Sequence, residues 1–178
     1  MLSVTIDDKR FELFISSATI AQKISETGKL IAEEYRGKDP VFLCVLNGAY
    51  VFAADLLRQV DVPGEVCFIK LSSYDGMRST GEVQTLIGLN VDLQDRHVVV
   101  IEDIIDTGKT IHELLPLIAE KAPATVKLAS LLSKPEARTH EVNIDYNCFE
   151  IPDKFVIGYG LDCNGLGRNL PDIYSLAE

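Results

Sequence analysis

The run His97-Val-Val-Val-Ile101 places four β-branched residues in succession with no polar interruption, directly ahead of Glu102-Asp-Ile-Ile-Asp-Thr-Gly-Lys-Thr110. A strand without alternation has no face to give to water. It belongs inside a sheet covered on both sides, which in practice means a parallel sheet flanked by helices. Other runs of strand length are Val41–Leu46, Glu65–Ser72, Thr125–Leu132 and Lys154–Gly158, with Val83–Leu89 a returning strand. Ile20, Ile24, Ile31 and Tyr35 recur at helical spacing and predict a helix over Ser17–Arg36, with Thr19 and Gln22 as its capping box and Gly37 as its stop. Helices are also expected over Tyr50–Val60 and Thr110–Ala122; Pro116 should bend the latter or move its start. Asn47-Gly48 reads as a strand-to-helix loop, because residues of helical composition follow it. The expected fold is α/β, a mostly parallel twisted sheet flanked by helices. Ligands of such sheets bind beyond the carboxyl ends of the strands, so the segments after Leu46, Ile101, Leu132 and Gly158 are where a site is sought.

No linker, repeat or charge block divides the 178 residues, so 1–178 is expected to be one domain. The net charge of -10 argues against a nucleic-acid partner, which needs a concentrated basic face. No apolar run approaches the roughly 20 residues of a membrane helix, so no membrane partner is expected. Met1 to Phe14 lacks a signal peptide's apolar stretch. Cys44, Cys67, Cys148 and Cys163 lie far apart, three of them in apolar runs, as buried thiols of a reducing compartment do. The expected location is cytoplasmic. His97, His112 and His140 have no metal-ligand spacing.

Thr107-Gly-Lys-Thr110 offers what a phosphate monoester needs: small hydroxyl side chains, a Gly permitting close backbone approach, and a helix start with unpaired N–H groups. It is not a Walker A loop, since the first Gly of that motif would fall at Asp103. Carboxylates cannot lie against phosphate oxygens without a cation, but they accept hydrogen bonds from a sugar diol. Glu102 and Asp103 ahead of the loop therefore imply a phosphorylated ribose, its hydroxyls on the acids and its phosphate on the loop.

This stretch resembles the phosphoribosyl pyrophosphate (PRPP) motif of type I phosphoribosyltransferases. Leu46-Asn-Gly-Ala-Tyr50, Ser72-Ser-Tyr74 with Ser79-Thr-Gly81, and Phe149-Glu-Ile-Pro-Asp-Lys-Phe-Val-Ile-Gly-Tyr-Gly-Leu-Asp162 narrow the resemblance to the hypoxanthine-guanine branch. The resemblance implies purine salvage: PRPP and a 6-oxopurine, hypoxanthine or guanine, give IMP or GMP and pyrophosphate. It implies a small hood built from segments near both termini, and a homodimer or homotetramer. Glu102 and Asp103 would hold the ribose hydroxyls, and Asp106, Thr107, Gly108, Lys109 and Thr110 the 5-phosphate. Asp106 would also be the general base near purine N7, the ordinary alternative being a helix cap. Lys134 would donate to the purine's O6, Phe155 would stack on the base and Val156 would contact its edge. Asn47, Gly48 and Arg168 would bind pyrophosphate. Asp162, with Glu102 and Asp103, would hold Mg2+, and Ser73 and Tyr74 would belong to a mobile loop closing over PRPP. Two departures stand out. The family usually carries Lys or Arg where this chain has Asn47, leaving the Gly48 amide, which the family presents through a cis peptide. After Asp162 an aromatic and bulkier residues are usual, whereas here Cys163-Asn-Gly-Leu-Gly167 follows. The alternatives are a transferase for xanthine or another base, and a PRPP-sensing regulator that binds nucleic acid without catalysis.

Overall fold

The computed structural model describes residues 2–72, 84–87 and 91–177. In chain order the elements are β1 (Ser3–Ile6), β2 (Lys9–Ile15), α1 (Ser17–Glu34), β3 (Val41–Leu46), α2 (Tyr50–Leu57), β4 (Glu65–Ser72), β5 (Gln84–Ile87), β6 (His97–Ile105), α3 (Lys109–Ala119), β7 (Thr125–Ser133), β8 (Tyr146–Glu150), β9 (Val156–Ile157) and β10 (Ile173–Leu176). The larger sheet has the order β5-β4-β3-β6-β7-β8. Its five strands from β4 to β8 are parallel, and β5 closes one edge antiparallel. The α/β architecture expected from the apolar runs is therefore present. As those runs imply, β3 and β6 are buried on both faces: Ile20, Phe42, Phe52 and Ile101 pack in the core of one face, and Leu43, Val100, Ile111 and Leu114 in that of the other.

A second sheet, β1-β2-β10-β9, is assembled from both ends of the chain and is antiparallel. Here the sequence expectation fails in part. Lys154–Gly158 is not a strand of the parallel sheet; only Val156–Ile157 is extended, paired with β10. The place beside β7 is taken by Tyr146–Glu150, whose polar-flanked five residues alternate too briefly to stand out. Of the expected strand Val83–Leu89 the described residues are Gln84–Ile87, and these form β5.

Two details of the helices also differ. The cap of α1 is Ser16, whose hydroxyl accepts from the Thr19 amide at 3.2 Å, while Gln22 donates along the helix to Glu26 at 3.1 Å. Pro116 lies inside α3 and neither ends it nor delays its start. The Asn47-Gly48 turn does lead from β3 into α2, as expected. All four cysteines are free thiols, and burial pushes Cys44 up to about 12 and Cys67 to about 11. Among the described residues no helix is long and apolar enough to cross a membrane.

The capping assignment is testable by urea denaturation. Ser16→Ala should cost about 1 kcal/mol, the usual value of a hydroxyl cap. Gln22→Ala should stay within about 0.5 kcal/mol, as exposed helix positions do; the reverse order would restore the original capping box.

Candidate active site

Strand β6 continues past the apolar run to Ile105, so Glu102 and Asp103 lie within the strand, not in a turn after it. Each residue is only 8% exposed. Burial pushes the Glu102 carboxyl well above the ordinary carboxylate range, and the neighbouring Asp103 charge adds to the rise. Asp103 is raised as well, again by burial, against opposing help from its own backbone contacts and the Arg168 guanidinium. One carboxylate oxygen of Glu102, Oε2, is buried with no hydrogen-bond partner. Such orphans are uncommon and costly, and an unpaired acceptor is what a diol would satisfy. A cleft of about 250 Å³ runs from these acids along residues 104–111 to the start of α3.

At the far end of that cleft Gly108 caps α3 with φ +82°, a left-handed conformation, and no side chain caps the helix. Asp106 is thus not the helix cap. The Thr107 carbonyl is held from behind by the amides of Thr139 and His140, both at 3.0 Å. The Thr107 hydroxyl accepts from the Lys109 amide at 3.3 Å, and Lys109 and Thr110 side chains are exposed. The first turn of α3 therefore offers amides to an anion across an open surface, braced by a segment that sequence reading had not singled out.

A second group converges on Asp103 from β3. The Leu46–Asn47 peptide is cis, Asn47 is exposed, and Gly48 lies so close to Asp103 that a Cβ there would overlap the carboxylate. The departure after Asp162 proves to be a tight hairpin. Cys163 and Leu166 exchange backbone hydrogen bonds, both at 2.9 Å, around Asn164 and Gly165, whose φ values are +50° and +83°. Positive φ at both central positions is the Asn-Gly signature of a type I′ turn. The chain returns at once, so Arg168 reaches Asp162 at 2.6 Å and the Gly160 carbonyl at 2.7 Å. Asp162 also accepts from the Gly165 amide at 2.6 Å.

The third group comes from the next strand ends. The Lys134 amide donates to the Ile105 carbonyl at 2.9 Å, so β6 and β7 finish in step and Asp106 and Lys134 emerge as neighbours. Lys134 is nearly buried, and its ammonium contacts Asp106 at 3.0 Å and Asp153 at 3.2 Å. Phe155, two residues beyond Asp153, is 47% exposed, with its ring centroid 6.1 Å from that of Phe11. Val156 is buried and paired with Ser175. Ser73 and Tyr74 lie outside the described residues. Asp153 was given no role from the sequence because an exposed Asp before a Lys has no periodicity to betray it; its two-residue spacing to Phe155 is the signal that could have found it.

No group of three or more His, Cys, Asp or Glu among the described residues forms a ready-made metal cage. The donors at hand, Glu102, Asp103 and Asp162, are all carboxylates and suit a hard cation that shares its shell with water and phosphate.

A family model described as a phosphoribosyl transferase domain matches residues 12–164. The chain belongs to the phosphoribosyltransferase family. Within it, the chain is 39% identical over 168 residues to the hypoxanthine-guanine phosphoribosyltransferase of Streptococcus pneumoniae, spanning 94% of this chain and 93% of that one. Among solved structures it is similar to a hypoxanthine-guanine phosphoribosyltransferase from Bacillus anthracis, with TM-score 0.87, 37% identity and coverage of 94% and 97% of the two chains. A hypoxanthine phosphoribosyltransferase from Staphylococcus aureus superposes with TM-score 0.88 at 35% identity, covering 93% of this chain and 91% of that one.

The buried acids make a stability test. A carboxyl raised by folding holds its proton where the unfolded chain has lost it, so its contribution to stability falls as pH rises above the unfolded value of about 4.3. Glu102→Gln should therefore stabilise the fold at pH 7.5 by about 1–3 kcal/mol, the cost of an unsatisfied buried polar group. The gain should shrink toward pH 4.5 in thermal unfolding scans; a destabilised variant at pH 7.5 would contradict the buried, uncompensated placement.

Proposed function

We propose that this phosphoribosyltransferase works in purine salvage, transferring the 5-phosphoribosyl group of PRPP to hypoxanthine or guanine. The observation that carries the reading is the single edge of the sheet. There the unpartnered Glu102 oxygen, the uncapped start of α3 and the Lys134–Asp106 pair stand together at the carboxyl ends of β6 and β7. The named relatives support the choice of base.

In this reading Glu102 and Asp103 take the ribose hydroxyls while Thr107, Gly108, Lys109 and Thr110 seat the 5-phosphate. The bond from the anomeric carbon to pyrophosphate oxygen breaks and the bond to the purine's N9 forms. The proton that the purine must lose passes from N7 to Asp106, whose carboxylate also offsets the positive charge developing on the sugar. Lys134 donates to O6, and because an ammonium has no acceptor capacity it opposes a 6-amino group. Phe155 offers its exposed ring for stacking, with the Val156 backbone at the edge of the base. Asn47, Gly48 and Arg168 bind the leaving pyrophosphate. Asp162, with Glu102 and Asp103, would hold Mg2+, which when bound neutralises pyrophosphate charge. The sheet β1-β2-β10-β9 would be the hood of one domain spanning residues 1–178. Association into a homodimer or homotetramer and a cytoplasmic location belong to the same proposal; Val66 and Phe68 leave apolar surface on β4 for a second copy.

With PRPP and Mg2+ the protein should form IMP and GMP, followed by chromatography of the products with adenine and xanthine as competing bases. Asp106→Asn should lower kcat by about 10²–10⁴, the usual worth of a positioned general base, with little change in KM. Failure to consume either 6-oxopurine would overturn the assignment. Salt-dependent RNA or DNA binding without turnover would point instead to a regulator.

A further inference from the structure

Three neighbouring parallel strands deliver one charged residue each. Asp106 follows β6, Lys134 follows β7, and Asp153 follows β8 after the Ile151 amide has bonded the Ser133 carbonyl at 2.9 Å. The lysine stands in the middle, its side chain 7% exposed, with Asp106 on one side and Asp153 on the other. An ammonium has three protons to donate. Two are committed, to Asp106 Oδ2 and Asp153 Oδ1, which leaves one for a ligand.

The two carboxylates are not equivalent. If Asp106 accepts the purine's proton, it becomes a neutral acid during the reaction and its hold on the ammonium weakens at that moment. A buried charge left without a partner is costly, so the lysine would be driven from its place unless a second anion stayed. Asp153 takes no proton in that scheme. Its side chain is mostly exposed, and among the described contacts its carboxylate serves only Lys134. The turn that carries it, closed by the Lys154 amide on the Pro152 carbonyl at 2.7 Å, also carries Phe155, whose carbonyl is fixed by the Leu176 amide at 2.9 Å. One turn thus sets both the stacking ring and the counter-charge of the O6 donor.

We propose that Asp153 is a positioning residue for base recognition: it holds the Lys134 ammonium at the 6-oxo edge of the purine while Asp106 is engaged with N7. This rests on the reading of Lys134 and Asp106 given above. With Asp153 neutralised, Asp106 becomes the sole anion on Lys134, and the two draw together at the expense of the base.

The test is a double-mutant cycle read in the KM of each substrate. Asp153→Asn should raise the KM for hypoxanthine and for guanine about tenfold, the worth of one charge-assisted hydrogen bond, and leave the KM for PRPP unchanged. Asp153→Glu should recover most of the loss. In a Lys134→Met background Asp153→Asn should change the base KM by less than about twofold, since its partner is gone. An unchanged base KM in Asp153→Asn would overturn the inference, and so would an equal penalty in the Lys134→Met background. If Lys134→Met itself leaves the base KM untouched, the reading of Lys134 fails first and takes this inference with it. Circular dichroism and thermal melting of each variant separate these outcomes from misfolding, and a rise in both substrates' KM with a lowered melting temperature would also count against a positioning role.

Discussion

Where parallel strands hydrogen-bonded in register also end in step, the residues that follow them are set a strand spacing apart, about 4.8 Å. Here β6, β7 and β8 end in that way, and beyond their ends come Asp106, Lys134 and, two residues further on, Asp153, while β3 stops two residues short, at the level of Asp103, with Asn47 next. The same register places Glu102 opposite Ser130 and inside the sheet, where a carboxylate has little water to solvate it. The edge therefore collects five acids, Glu102, Asp103, Asp106, Asp153 and Asp162, with Lys134 and Arg168 as their close cations. The raised carboxyls of Glu102 and Asp103 are first the cost of burying them, with the Asp103 charge adding to the rise at Glu102, and the two apolar cores beneath offset it.

Much of this was legible in the sequence, for physical reasons that differ by element. Val98 to Ile101 can only be interior, so the central strand and its parallel neighbours β3 and β7 followed from the apolar runs, whereas the acids lie inside the strand and not after it. At Thr107 to Thr110 the backbone was readable, since a Gly there permits a tight start to a helix, and Gly108 does adopt the left-handed conformation at the start of α3; the phosphate on it belongs to the proposal. The edge strand Tyr146–Glu150 was not legible. It is short, and it is also tied by a polar network in which Tyr146 donates to Glu34 and Lys127 pairs with Glu34 at 2.5 Å. Polar stabilisation of that kind leaves no hydrophobic period. The same holds for the brace behind Thr107, since backbone amides of Thr139 and His140 carry no side-chain signal.

Position, not residue identity, also accounts for how the chain accommodates its two departures. Asn47 brings no charge to the turn after β3, and the cation whose field reaches Asp103 is Arg168. For Arg168 to do so, the chain after Asp162 must reverse within a few residues. Bulky residues would need a wider loop, whereas Asn164 and Gly165 accept the positive φ of a two-residue hairpin at little strain. The hairpin then lets the Arg168 guanidinium bridge Asp162 and the Gly160 carbonyl, fixing its fork beside the Gly48 turn. In the proposed reaction the anion that arrives there has to compete with Asp162 for the guanidinium. A cation drawn to Asp162 by the same anion would release Arg168, so the proposed roles of Asp162 and Arg168 are coupled: each becomes free for its ligand when the other's ligand binds.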